Sequence, residues 1–218
     1  MRTGTHQLIV ISDVICPWCY IGKKRLDTAL KTLRQNYDIK ICWKAFELNP
    51  TIPIEGIERE AYLHRKFGSK VAADSIYRNI KSVALEDKLE IAFELIKMTP
   101  NTRMSHKLIA ATGGNDGKQD ELIDALFEAY FVRGENIGDK EVLLKIAMGL
   151  KLSDQAINSL EENQMLESLV IAQEDDAKTQ GVTGVPAFVY KDRLLFSGAQ
   201  SPETMYLAIK RALERFAQ

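Results

Sequence analysis

The sequence predicts an α/β fold in the order βαβ, helical block, ββα, and three observations carry that prediction. The apolar run "QLIVISDV" (7–14) leads directly into a helical pattern and then into a second strand-like run, "DIKICWKAFEL" (38–48). From about residue 55 to about 180 the pattern is helical and strand signals nearly vanish. Strand patterning returns only in "VPAFVYKDRLLFSGAQ" (185–200), ahead of a last amphipathic helix. The two ends of the chain need each other to complete one mixed sheet. The expected organisation is therefore a discontinuous α/β domain, 1–54 with 181–218, carrying a large inserted all-helical domain, 55–180.

Each element has its own local reason. A short, nearly continuous apolar run is the pattern of a strand buried on both faces. Pro17 suits the first turn of the helix that follows, where its missing N–H removes only an unpaired donor, and Leu26, Leu30 and Leu33 recur at helical spacing. The second strand, rich in Ile, Trp and Phe, stops at Asn49-Pro50, and a βαβ unit implies parallel pairing. Breaks in the helical block fall near Gly68, Pro100, "GGNDG" (113–117), "RGENIGD" (133–139) and Leu152-Ser153-Asp154. A hairpin around Lys191-Asp192-Arg193 comes next. The last helix opens on Ser201 as N-cap, with Pro202 at N1 and Thr204 where a capping box would have Glu.

Composition narrows the function. With 29 Lys+Arg against 30 Asp+Glu, charge balance gives no reason to expect nucleic acid or a membrane surface as partner. The N-terminal apolar stretch is too short for a signal peptide, and three cysteines are too few for a disulfide-stapled secreted fold. A cytoplasmic protein is expected, and in a reducing compartment a Cys-x-x-Cys pair is more often catalytic or metal-binding than structural.

The pair is "ICPWCY", Cys16 and Cys19, at the junction of first strand and first helix. A thiol attacks as its thiolate, and the unpaired N–H groups of a helix N-terminus favour negative charge there. Cys16 sits at or beside the N-cap, as the nucleophile. Cys19, one turn further in, is placed to resolve a mixed disulfide formed on Cys16. Half of a zinc site is the first rival, but only Cys42, His6, His64 and His106 remain as further Cys or His ligands, and none forms a second paired spacing. Two inert thiols are the other rival. Cys42, alone in a strand, reads as core packing.

"GVTGVPAFVY" (181–190) is the second informative stretch. A proline at a strand start can be a simple edge feature. A cis bond before Pro186 would instead turn the backbone of Val185 outward, toward an extended peptide lying beside Cys16.

With these stretches in place, "SDVICPWCYIGKKRL", "NTRMSHKLI" (101–109), "LFEAYFVRGENIGD" (126–139) and "GVTGVPAFVYKDRLLFSGAQ" resemble the DsbA-like thiol–disulfide oxidoreductases, specifically the FrnE-like branch, over essentially the whole chain. The resemblance implies a thioredoxin-like fold with an inserted helical domain, an active site carried by Cys16 and Cys19, and a cis-proline carried by Pro186. The same fold resembles glutathione-using kappa-class transferases and 2-hydroxychromene-2-carboxylate isomerases, which characteristically carry Ser where this chain has Cys16. That class is the alternative reading, and a non-catalytic binding module is a third.

Candidate substrate contacts are Val185, Pro17, Trp18 and His106, the last weighed against a purely structural role. Asp13 reads as a turn cap or a proton relay, Asn101 and Thr102 as caps, and Lys23-Lys24-Arg25 as a solvated face. No metal or organic cofactor is called for, and glutathione is a candidate co-substrate. The expected partners are thiol- or disulfide-bearing proteins or peptides. Monomer and homodimer stay open.

Overall fold

The computed structural model describes residues 4–113 and 117–216. In chain order its elements are β1 (Thr5–Ser12), α1 (Pro17–Leu33), β2 (Asp38–Ala45), β3 (Ile57–Glu58), α2 (Arg59–Phe67), α3 (Lys70–Glu86), β4 (Met98–Thr99), α4 (Arg103–Ala111), α5 (Lys118–Phe131), α6 (Lys140–Gly149), α7 (Asp154–Asn158), α8 (Gln164–Thr179), β5 (Ala187–Tyr190), β6 (Arg193–Ser197) and α9 (Pro202–Arg215). A 3₁₀ turn, Phe93–Leu95, precedes β4.

β1 is central in a four-stranded sheet of order β2-β1-β5-β6. It pairs parallel with β2, from Thr5↔Asp38 to Ser12↔Ala45, and antiparallel with β5. Side chains alternate across a strand. Leu8 and Val10 enter the main core with residues of α1 and α9, whereas Ile11 joins Ala177, Val182, Ala187 and Val189 in a smaller cluster. Covering both faces removes any place for polar residues, hence the continuous apolar run. The β5–β6 turn is tighter than expected. It is Lys191-Asp192 alone, both at positive φ (47° and 58°), and Arg193 already belongs to β6. Such two-residue turns match the right-handed twist of the strands they join.

Leu26, Leu30 and Leu33 of α1 are buried as the spacing predicts, and α9 opens with Ser201 accepting from the Thr204 N–H at 3.2 Å. The basic run on α1 departs from its expected solvated face. Lys23 is 3% exposed, bonded to both Asp27 oxygens (3.0 and 2.8 Å) and to Asp124 (3.1 Å), with Asp120 at 3.5 Å. Burial works against its charge, but the three aspartates outweigh it and raise Lys23 above its ordinary value. Arg25 is tied to Asp87 (2.6 Å) and to the Ala199 carbonyl (2.7 Å), leaving Lys24 as the exposed member. Asp120 and Asp124 arrive on α5, far along the chain, so no local pattern could announce them.

The block between β2 and β5 is helical apart from the two-residue pair β3–β4. α2 stops at Gly68 in the left-handed region (φ 77°), and Ser69, Asp139, Ser153 and Asn163 each cap the next helix with a side-chain oxygen. Of the expected break at 113–117, residues 114–116 lie outside the described residues. The block closes the sheet's β2 edge. Alternate N–H groups there, which no strand pairs, are taken by its side chains: Trp43 by Gln119 (2.8 Å), Ala45 by Gln173 (2.9 Å) and Glu47 by Glu174 (2.8 Å). An open edge invites pairing with another chain, and side-chain acceptors at period two blunt it. Among the described residues, no helix is long and apolar enough to cross a membrane.

Candidate active site

β1 ends at Ser12, and a turn closed by the Cys16 N–H on the Asp13 carbonyl (3.1 Å) delivers the chain to α1. Cys16 is the N-cap residue, extended (φ −89°, ψ 114°), with no side-chain cap, and Pro17 occupies the first turn. Its sulfur lies at the helix entrance, 3.8 Å from the Val185 carbonyl. The Val185–Pro186 bond is cis. Cys16 and Val185, 169 residues apart, therefore meet, with Pro186 between Val185 and the start of β5. Among the described residues the Val185 N–H has no acceptor, while its carbonyl faces the Cys16 sulfur.

Cys19 lies one turn inward, 1% exposed. The two thiols are free and lie close enough for each to act on the other's ionisation. Burial pushes the Cys19 thiol well above its ordinary value, and the Cys16 thiol and its charge push the same way. The Ser12 hydroxyl and the Asp13 backbone pull it back. Ser12 Oγ is buried with no acceptor or donor at ideal geometry, so its approach to the Cys19 sulfur is its polar contact. Cys42 is half-buried in β2, opposite Ile9, and takes no part. No group of three or more His, Cys, Asp or Glu suited to hold a metal occurs among the described residues.

Beneath the pair lies a buried polar seam. Asp13, fully buried, accepts from the Leu48 N–H at 2.8 Å and, less closely, from Ile15 at 3.4 Å. It thus ties the turn to the segment after β2. His106, 2% exposed on α4, brings Nε2 to 3.4 Å from Asp13 Oδ1 at an angle that closes no hydrogen bond, so the contact is electrostatic. Arg103 on α4 grips Glu47 with two nitrogens, one of them at 2.9 Å. Glu174 on α8 completes the seam, and burial raises its carboxyl above the usual range. Asn101 supplies the cap for α4, accepting from the Arg103 N–H at 2.9 Å. Thr102 holds the N-cap position without a side-chain bond.

Among the candidate contacts, Pro17, Trp18 and Val185 are half-buried at the helix entrance and cis loop, whereas His106 is enclosed behind Asp13. Sequence reasoning missed Gly22. A Cβ built on it would stand 2.8 Å from Pro186 Cγ, so the absent side chain is what lets α1 press against the proline loop. A glycine inside a helical pattern is the one local signal that could have revealed it. Glu47 and Glu174 were missed as well, since nothing local separates a buried carboxylate from a solvated one.

A strand-to-helix cysteine pair facing a proline loop is now joined by a match of residues 7–210 to the DSBA-like thioredoxin domain. The chain belongs to this DSBA-like family. A crystal structure of a probable DsbA oxidoreductase from Streptomyces coelicolor superposes with a TM-score of 0.82 at 26% identity, covering 96% of this chain and 90% of that one. The cytosolic disulfide reductase DsbM from Pseudomonas aeruginosa shares the fold at 15% identity (TM-score 0.67, 96% and 99% covered), and its structure is also known with GSH. A 2-hydroxychromene-2-carboxylate isomerase shares it at 18% identity (TM-score 0.66, 96% and 95% covered). This DsbA-like chain thus has the thioredoxin-like fold that its sequence implies, with a mixed sheet and an inserted helical block.

Proposed function

We propose that the protein is a thiol–disulfide oxidoreductase in which Cys16 exchanges disulfides with thiol- or disulfide-bearing proteins, peptides or small molecules, and Cys19 resolves the intermediate. The observation that carries this reading is the placement of the two sulfurs. Cys16 stands at the helix entrance against the Val185 carbonyl, and Cys19 is enclosed beneath it, close enough for each thiol to act on the other's ionisation. In the reducing direction the Cys16 thiolate attacks a substrate disulfide, forming a mixed disulfide and releasing one substrate thiolate. The Cys19 thiolate then attacks Cys16 Sγ, the second substrate thiol leaves, and two electrons have passed from the pair to the substrate. The oxidising direction is the reverse. A thiol such as glutathione can serve as co-reactant, and no metal or organic cofactor takes part in these steps.

The unpaired Val185 N–H beside Cys16 suits an extended peptide lying along the loop, with Pro17 and Trp18 as apolar contacts. The protein's place in the FrnE-like branch and a cytoplasmic site of action belong to the same proposal. The similar fold of DsbM, a cytosolic disulfide reductase, supports the latter by analogy.

The test is a pair of substitutions. Cys16→Ser is expected to abolish exchange, and Cys19→Ser to accumulate substrates as mixed disulfides on Cys16, seen by mass spectrometry under non-reducing conditions. Trapping by the Cys16 variant instead would reverse the roles. The fold shared with the chromene-carboxylate isomerase supports a second reading, glutathione-dependent transfer or isomerisation, for which Cys19 is dispensable. Full turnover by Cys19→Ser with glutathione present would favour it.

A further inference from the structure

At the open end of the β5–β6 hairpin the cis loop enters and residues 198–200 leave. Gly198, in the left-handed region at φ 80°, turns the chain out of β6, and its N–H donates to the Pro186 carbonyl at 2.7 Å. The next residue, Ala199, accepts at its carbonyl from Arg25 Nη1, also at 2.7 Å. Arg25 follows Gly22 by three positions, on the same face of α1. That face meets the same loop: a Cβ on Gly22 would stand 2.8 Å from Pro186 Cγ and 3.8 Å from Ala199 Cα. The glycine gives the close approach and the arginine gives the polar tie.

The other edge of the guanidinium points to the helical block. Nε donates to Asp87 Oδ2 at 2.6 Å, and Nη2 lies 4.0 Å from Glu86 Oε2, both at the end of α3, where Asp87 is the C-cap residue. The Arg25 and Asp87 side chains are 13% and 16% exposed, so salt screens this pair less than a surface one. A guanidinium holds its donors in a rigid planar fork. Here the fork serves two parts of the chain at once, 62 and 174 residues away. An ammonium carries all its donors on one nitrogen and cannot occupy both places. The neighbouring lysines have other surroundings, since Lys24 is exposed and Lys23 faces Asp124 on α5.

We propose that Arg25 is a positioning residue for disulfide exchange. Anchored by Asp87, it holds Ala199, and through the Gly198–Pro186 hydrogen bond it holds the cis loop, at the spacing from Cys16 that an extended substrate needs. The proposal rests on the thiol–disulfide reading of Cys16 and Cys19. Because Arg25 acts through the loop and not on the sulfurs, its effect falls on substrates that use the backbone of Val185, and not on those that need the thiolate alone.

The test sets two disulfides against the full reduced chain: bis(2-hydroxyethyl) disulfide, which has no backbone, and a short extended peptide whose cysteine carries the same 2-mercaptoethanol group. In each, Cys16 Sγ bonds to one sulfur and the other leaves as thiolate. Arg25→Lys is expected to slow the peptide about tenfold and to keep the small disulfide within about twofold of the parent. Hydrogen exchange read by NMR reports the loop without reference to activity: the Gly198 N–H should exchange about tenfold faster in Arg25→Lys, with β1 amides unchanged. Asp87→Ala, which leaves α1 untouched, should move both readouts the same way, and it decides should Arg25→Lys fail to fold. Lys24→Gln, exposed on α1, should match the parent throughout. Unaltered Gly198 exchange, a parental peptide rate, or equal slowing of the two disulfides overturns the positioning role. A parent that exchanges neither disulfide overturns the thiol–disulfide reading and the role built on it, a failure told apart by Gly198 exchange that still quickens in the variants.

Discussion

Cys16 and Cys19 lie three positions apart and are both buried, 4% and 1% exposed, but Cys16 is the N-cap of α1 and Cys19 lies one turn inside it, and on the proposed function that difference gives the pair its direction. Burial is the largest cause of the raised Cys19 value, and it persists when Cys16 is tied up in a mixed disulfide. The part contributed by the Cys16 thiol and its charge does not. The resolving step should therefore quicken as pH rises through and beyond the ordinary thiol value of 9.0, measurable by stopped-flow decay of a preformed mixed disulfide. A pH-independent rate would remove Cys19 ionisation from that step. The same shift has a sign for stability. The folded state keeps Cys19 protonated where the unfolded chain has released the proton, so the reduced protein's stability holds below 9.0 and falls as pH climbs from there toward the folded value. Cys19→Ser should flatten that alkaline decline in urea titrations.

At the scale of elements, α1 owes its working position to Gly22, where Pro186 of the cis loop comes closer than any Cβ permits. Gly22→Ala gains about 1 kcal/mol of helix propensity but forces an overpacked contact against a ring that cannot swing aside, costing about 1–3 kcal/mol. The expected result is a stability change smaller than the overpacking cost, with a marked fall in thiol exchange as the loop is pushed from Cys16, checked by urea midpoint and exchange rate together. Parental exchange by Gly22→Ala would show that the spacing is not critical. Legibility follows the same division. The order of elements, the cysteine pair at the helix start and the Ser201 cap were readable because each rests on a local pattern of periodicity or turn chemistry. The burial of Lys23, the Gly22 contact and the Glu47–Arg103 grip were not, because each depends on a partner brought by the fold from another part of the chain.

For the whole molecule, the inserted block does more than sit beside the sheet: it completes it. Gln119 and Gln173 take free N–H groups along β2 and Glu174 takes that of Glu47 just beyond it, Asp13 links the turn bearing Cys16 to Leu48, and Arg103 clamps Glu47 between them. The loop after β2, and through Asp13 the turn bearing Cys16, is thus held from the helical side. Glu47 has a side chain only 1% exposed, so its carboxylate depends on Arg103 for compensation. Removing one partner of a buried pair costs about 3–5 kcal/mol, chiefly through the charge left behind. Arg103 is itself 23% exposed, and water screens part of the interaction. Arg103→Met is therefore expected to destabilise the protein by about 3 kcal/mol, the low end of that range. The double variant Arg103→Met, Glu47→Gln leaves no stranded charge and should recover much of the loss, as read from urea unfolding of all three proteins. Were the double variant no more stable than Arg103→Met, the cost would lie in lost packing of the arginine stem, and the clamp between the helical block and the turn bearing Cys16 would be steric rather than electrostatic.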